Sequence, residues 1–159
     1  MKPDILICDE VVSALDVSIQ GQILNLLLDL RNSRKSSGQE ISFLFIAHNL
    51  KVASYFCDRI GVMYRGEIME EAPASNLWKN HLHPYTELLF SSVQGMGKPL
   101  VSKEATALSA NIEQTNTTIE NPACAFASRC PYAESLCIRK NPPLQATGEG
   151  HLVRCWKQG

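Results

Sequence analysis

The sequence predicts an α/β fold carrying a small cysteine-rich appendage, and three observations predict it. Two short, uninterrupted apolar runs, Ile5–Cys8 and Ile41–Ala47, each end on polar residues, with a helical apolar repeat between them. Runs without alternation suit strands of a parallel sheet, buried on both faces. Four of the six cysteines (Cys124, Cys130, Cys137 and Cys155) crowd into the C-terminal stretch. Charge divides the same way: residues 1–93 carry 8 basic and 11 acidic side chains, residues 122–159 carry 5 and 2. Two differently built pieces share the chain.

Composition narrows the function classes. Of 159 residues, 45% are hydrophobic and 19% charged, with a formal net charge of -1. That is an ordinary globular balance, and it supplies no global field for nucleic acid or an acidic membrane surface. No apolar run approaches the roughly 18 residues that span a bilayer, and the start, Met-Lys-Pro-Asp, is no secretory signal. Without such a signal, clustered cysteines favour metal ligation over a disulfide framework.

The elements follow in order. Strand Ile5–Cys8 closes on Asp9-Glu10. Ile19, Ile23, Leu26, Leu27 and Leu30 recur at helical spacing, with Asp16 or Ser18 as N-cap, and Ser36-Ser37-Gly38 ends that helix. This stripe is expected to be core. Strand Ile41–Ala47 ends on His48-Asn49, and Asn49 caps a helix through Phe56. Arg65-Gly66 reads as the tight turn of a hairpin between Arg59–Tyr64 and Glu67–Glu71. Short helices are expected over Ala74–Lys79 and Tyr85–Ser92, separated by a surface loop carrying His81 and His83. Residues 94–121 lose periodicity and read as a linker.

In an open parallel sheet, ligands sit at the carboxyl ends of strands. Asp9 and Glu10 occupy that edge on one strand and His48 on the next, with Ser13-Ala14-Leu15-Asp16 in the loop between. One carboxylate there can hold Mg²⁺, its neighbour can activate water, and a histidine can sense a terminal phosphate. A receiver-type phosphoacceptor built on Asp9 is a rival, but it wants a lysine at the following strand end, where His48 stands.

These residues carry a resemblance. Ile5–Glu10, Ser13–Asp16 and Ile46-Ala47-His48-Asn49 resemble the second half of an ABC transporter ATPase, within the P-loop NTPase class. Asp16-Val17-Ser18-Ile19-Gln20, Arg65-Gly66-Glu67-Ile68 and His83-Pro84-Tyr85-Thr86 look like the oligopeptide, dipeptide and nickel importer branch. The resemblance implies that Asp9 holds Mg²⁺, Glu10 is the catalytic base, Asp16 belongs to the D-loop and His48 contacts the γ-phosphate of ATP. Val11-Val12 stands where that family usually has Pro-Thr. The implied partners are a second ATPase subunit, transmembrane permease subunits and, indirectly, a substrate-binding protein, with no nucleic acid. The implied place is peripheral, on the cytoplasmic face of the membrane. Residues 1–80 are expected to be the ATPase part and 81–159 the extension. No G-x-x-x-x-G-K-[ST] phosphate loop or Ser-Gly-Gly-Gln signature occurs in the 159 residues, so a C-terminal fragment, inactive alone, is expected.

The cysteines are spaced C-x5-C-x6-C-x17-C within a 38-residue module at positions 122–159. Four thiolates can close a zinc site or hold an iron–sulfur cluster, and so small a module has little core without a staple. Phe126, Pro131, Tyr132, Pro142, Pro143, Leu144 and Trp156 could form its shell. Arg129 and Arg154 could reach cluster sulfurs, and His151 could be a supporting donor. Resemblance to the importer extension implies a four-iron four-sulfur cluster, ahead of zinc. Cys8 and Cys57 read as small buried residues. The rival functional class is a non-hydrolysing metal-binding or interaction module.

Overall fold

The computed structural model describes residues 3–13, 15–94, 123–148 and 150–158; the linker expected over 94–121 falls outside them from residue 95 on. Two compact units result, Met1–Cys57 and Asp58–Gly159. Their division precedes the hairpin, whereas the boundary expected from sequence, at 80/81, falls inside the second unit.

In the first unit, β1 (Ile5–Asp9) and β2 (Ser42–Ile46) pair in parallel, Ile5 opposite Ser42 and Asp9 opposite Ile46. The crossover is α1 (Val17–Ser36). Its N-cap is Asp16, whose carboxylate accepts from the Ile19 N–H at 2.9 Å. Arg34 and Lys35 occupy its last turn, where cations favour the helix dipole, and Gly38, at φ 69°, lets the chain leave. Helix α2 (Leu50–Phe56) starts at Asn49, whose side chain accepts from the Lys51 and Val52 N–H groups. The core joins Val12, Leu24, Val52 and Phe56, with Phe43 and Phe45 of β2 at 5.4 and 5.1 Å from the Phe56 ring.

Two expectations are corrected here. The strands are covered on one face only: Ile5, Ile7, Leu44 and Ile46 lie on the other face and are exposed, Ile5 and Ile7 by 64% and 63%. The α1 stripe is also displaced. Ile23, Leu24, Leu27 and Leu28 pack inward, while Leu26 is 64% exposed and Ile19 and Leu30 are exposed too, because the single layer under α1 covers a narrower arc than the stripe.

The second unit is built on an antiparallel sheet ordered β3-β4-β6-β5, of β3 (Arg59–Tyr64), β4 (Glu67–Pro73), β5 (Gln145–Gly148) and β6 (His151–Val153). Arg65 and Gly66 both take positive φ, 48° and 84°, as a type I′ turn requires. Helices α3 (Ala74–Lys79), α4 (Pro84–Gln94) and α5 (Ser135–Arg139) complete it. The cysteine module is therefore not a separate fold: β6 pairs with β4, Glu70 opposite Val153. Phe126 packs between Tyr64 and Tyr85, with ring centroids 5.3 and 5.2 Å apart. The module borrows its core from the hairpin, which removes the need for a metal as its only staple. Among the described residues, no helix is long and apolar enough to cross a membrane.

Candidate functional site

In the first unit the chemistry gathers beyond the carboxyl ends of β1 and β2. Asp9 is the last residue of β1, and the Glu10 N–H extends the ladder to the Ile46 carbonyl at 3.0 Å. Glu10 then turns sharply with φ at 47°, a conformation costing an L-residue about 1–2 kcal/mol. Ser13 holds that turn, its N–H and Oγ both donating to the Glu10 carbonyl, at 3.0 and 2.8 Å. The result aims the Glu10 carboxylate at the neighbouring strand end, where Oε1 lies 3.3 Å from Nδ1 of His48. Both side chains are open to solvent (53% and 68%), so the contact adds little stability and leaves both groups accessible to a ligand.

The loop after Glu10 is fixed by residues with no obvious chemistry. Val12 is buried in the core, and Gln20 Nε2 donates to the carbonyls of Val12 (3.0 Å) and Leu15 (2.9 Å). Asp16, expected in a D-loop role, has its carboxylate engaged as the α1 cap. Sequence reasoning missed Gln20; its spacing after the loop was visible, its function as a brace was not.

In the second unit, Cys124, Cys130, Cys137 and Cys155 are free thiols lining one cavity of about 60 Å³. The Cys124 N–H donates to the Cys137 carbonyl (2.9 Å), and the Ala127–Arg129 3₁₀ turn delivers Cys130. Cys155 follows β6, its carbonyl held by Gln145. Phe126, Tyr132, Pro142 and Trp156 of the expected shell line the cavity; Pro131, Pro143 and Leu144 do not. Arg154 does so too, whereas Arg129 turns to the Tyr64 hydroxyl and ring. Burial pushes the thiols of Cys124 and Cys155 up, and that of Cys130 to about 11, with neighbouring cysteines adding to the shift.

Among the described residues, no three His, Cys, Asp or Glu side chains converge closely enough to hold one ion. The cavity shared by the four cysteines is several times the ~10–15 Å³ one water needs, and four thiols around a larger space suit a polynuclear, thiolate-ligated group.

Three further residues, Glu70, His151 and His83, take roles that the sequence did not show. Glu70 is fully buried. It accepts from the N–H groups of Leu82 (2.6 Å) and His83 (3.0 Å) and from Nε2 of His151 (2.7 Å). His151 thus serves a carboxylate, not the cysteines. His83 is buried, not in a surface loop. Its Nδ1 accepts from the Tyr85 N–H at 3.0 Å ahead of α4, and its ring also bonds the Arg154 backbone.

Desolvation lowers the His83 pKa from 6.5 to about 4, despite nearby Glu70. Its unfolded form then binds a proton between those values that the folded form refuses, so stability is complete above pH 6.5 and falls as pH drops toward 4. The loss attributable to His83 reaches about 3 kcal/mol. In denaturant melts from pH 7 to 4.5, His83→Asn, which keeps a capping acceptor, should lose correspondingly less stability than wild type. Parallel curves would refute the assignment.

Comparison with known proteins bears on these sites. The family described as "Oligopeptide/dipeptide transporter, C-terminal region" matches residues 69–137. The oligopeptide transport ATP-binding protein AppF of Bacillus subtilis (strain 168) is 38% identical over 158 residues, covering 98% of this chain and 45% of AppF. Over nearly its whole length the chain is similar to these ATP-binding proteins of peptide transport. The "Probable peptide ABC transporter ATP-binding protein y4tS" of Sinorhizobium fredii (strain NBRC 101917 / NGR234) is 40% identical over 157 residues, covering 98% of this chain and 42% of that one. The chain thus spans under half the length of either relative, and its mixed α/β fold is homologous to the C-terminal part of ABC ATPases. The matched importer region runs from Met69 on β4 to Cys137 and takes in three of the four clustered cysteines.

Proposed function

We propose that this chain is the distal part of an ATP-binding subunit whose ATP hydrolysis drives import of peptides, or of nickel, across the cytoplasmic membrane. The observation that carries this reading is the Glu10–His48 pair, 3.3 Å apart on adjoining ends of parallel strands, in a chain 38% identical to an oligopeptide transport ATP-binding protein. In this reading Asp9 holds Mg²⁺, Glu10 accepts a proton from the attacking water, His48 meets the terminal phosphate of ATP, and Asp16 fixes the loop facing a second ATPase subunit. The uncovered apolar face of β1 and β2 supports a P-loop NTPase domain continuing over it, for which the relatives' greater length leaves room. Permease subunits, and a substrate-binding protein through them, are the partners, at the cytoplasmic face. Residues 1–80 are the ATPase portion and 81–159 the importer-type extension. The kinship to ATP-binding subunits favours this over a non-hydrolysing module.

The test is to fuse the chain behind the portion of AppF preceding the matched stretch. The chain alone should show no Glu10-dependent ATP turnover, because its residues include no phosphate loop, and the fusion should hydrolyse ATP. A folded, ATP-binding fusion without turnover would overturn the reading.

We also propose that Cys124, Cys130, Cys137 and Cys155 hold a four-iron four-sulfur cluster, supported by the four free thiols on one cavity. Such a group supplies one-electron redox capacity when bound. Anaerobic reconstitution with ferrous iron and sulfide should give brown protein with both bound. Cys130→Ser should lose them, and Cys57→Ser, in the other unit, should not. Colourless protein with four alkylatable thiols would refute this.

A further inference from the structure

Arg154 stands between β6 and Cys155 and is one of the residues lining the four-thiol cavity. Its Nε donates to the Ile68 carbonyl at 2.9 Å and a terminal nitrogen to the Pro142 carbonyl at 3.1 Å. Its backbone N–H donates to the Met69 carbonyl at 2.8 Å, continuing the β6–β4 ladder. A planar guanidinium held at two points by carbonyls, on an anchored backbone, cannot swing to solvent. Among the described residues, no carboxylate lies within ion-pair distance of it.

A half-buried cation without a counter-ion is unfavourable, and carbonyl dipoles offset only part of that. The other charges around the cavity do not resolve it. Lys157 lies over the Tyr132 ring at 3.8 Å and adds positive charge; Glu134 lines the wall but is exposed; His83 is neutral through burial. Glu67 acts on Cys124 and so opposes negative charge on that sulfur. Four thiols ligated as thiolates would complement Arg154.

We propose that Arg154 is a positioning residue for an anionic, thiolate-ligated centre in this cavity, its fixed positive charge stabilising the negative charge the thiolates bring. This rests on the cluster reading above. Reduction adds a further negative charge, so the cation raises the reduction potential as well as the occupancy.

The test uses the full chain, reconstituted anaerobically with ferrous iron and sulfide and titrated spectroelectrochemically. Arg154→Gln should lower the equilibrium constant for reduction about tenfold, ~59 mV for a one-electron couple. Arg154→Lys, which keeps the charge, should stay close to wild type. Lys79→Gln, which removes an exposed cation at the end of α3, should not shift the potential. If Arg154→Gln loads and titrates with wild type, the proposal is overturned and the cluster reading stands. If Arg154→Gln and Arg154→Lys both fail to load, the carbonyl bonds and not the charge are what matter, and it is overturned as well. Loading of Arg154→Lys with failure of Arg154→Gln supports it. Wild type that takes up neither iron nor sulfide refutes both readings together.

Discussion

Glu10→Gln should reduce ATP turnover by the AppF fusion about 10²–10⁴-fold, the range a positioned general base contributes, while leaving nucleotide binding nearly unchanged. Glutamine matches glutamate in shape but cannot accept the proton of the attacking water. The backbone holding it is independent of the carboxylate: the Glu10 N–H is bound to Ile46, and its carbonyl to Ser13. The left-handed turn at φ 47° is therefore expected to persist in the variant. Melting should barely move, because the Glu10–His48 contact is exposed. Turnover is thus lost without loss of fold, which separates this substitution from a disruptive one. Retention of most turnover by Glu10→Gln would remove Glu10 from the base role. Asp9→Asn should act differently, raising the Mg²⁺ concentration needed for turnover.

The first unit was largely legible because its determinants are local. An apolar run ending on carboxylates, a capping Asp16 and a second run ending on His48-Asn49 each lie within a few residues of the structure they set. The same holds for Arg65-Gly66, whose two positive φ angles are what that dipeptide suits. What could not be read was how many layers cover each element. Ile5 and Ile7 have the composition of a strand buried twice, yet only the face bearing Leu6 and Cys8 is covered. Composition reports what a residue tolerates, not what arrives to pack on it.

The second unit was less legible because its determinants are distant. Strand β6 has three residues and no alternation to detect, and its partner β4 lies about 80 positions earlier. The cysteines could be singled out by type, but not that Phe126 would fill a core shared with Tyr64 and Tyr85. Glu70 gave no signal within a run of three acidic positions around Met69, because its partner is His151. Arg154 was visible as a neighbour of Cys155; its lack of a carboxylate was not.

Glu70→Ala should destabilise the second unit by about 3 kcal/mol or more, the cost of leaving its hydrogen-bond donors without an acceptor. Glu70 joins three segments. Its oxygens receive the Leu82 and His83 N–H groups from the loop before α4 and the His151 imidazole from β6. On the other side of that ring, Asn76 Nδ2 lies 3.4 Å from Nδ1. Removing the carboxylate leaves two buried donors, on His83 and His151, and the half-buried Leu82 N–H unmatched, each buried one costing about 1–3 kcal/mol unless water enters. Set against a typical domain stability of 5–15 kcal/mol, that loss brings the unit near its unfolding threshold. Trp78 and Trp156 both lie in this unit, so tryptophan fluorescence in a denaturant titration reports it specifically. Glu70→Gln should fall between wild type and Glu70→Ala, since its amide oxygen can keep one backbone N–H while its NH₂ opposes another. The order matters as much as the size: a Glu70→Gln variant as stable as wild type would mean that shape, not charge, is what Leu82, His83 and His151 require there.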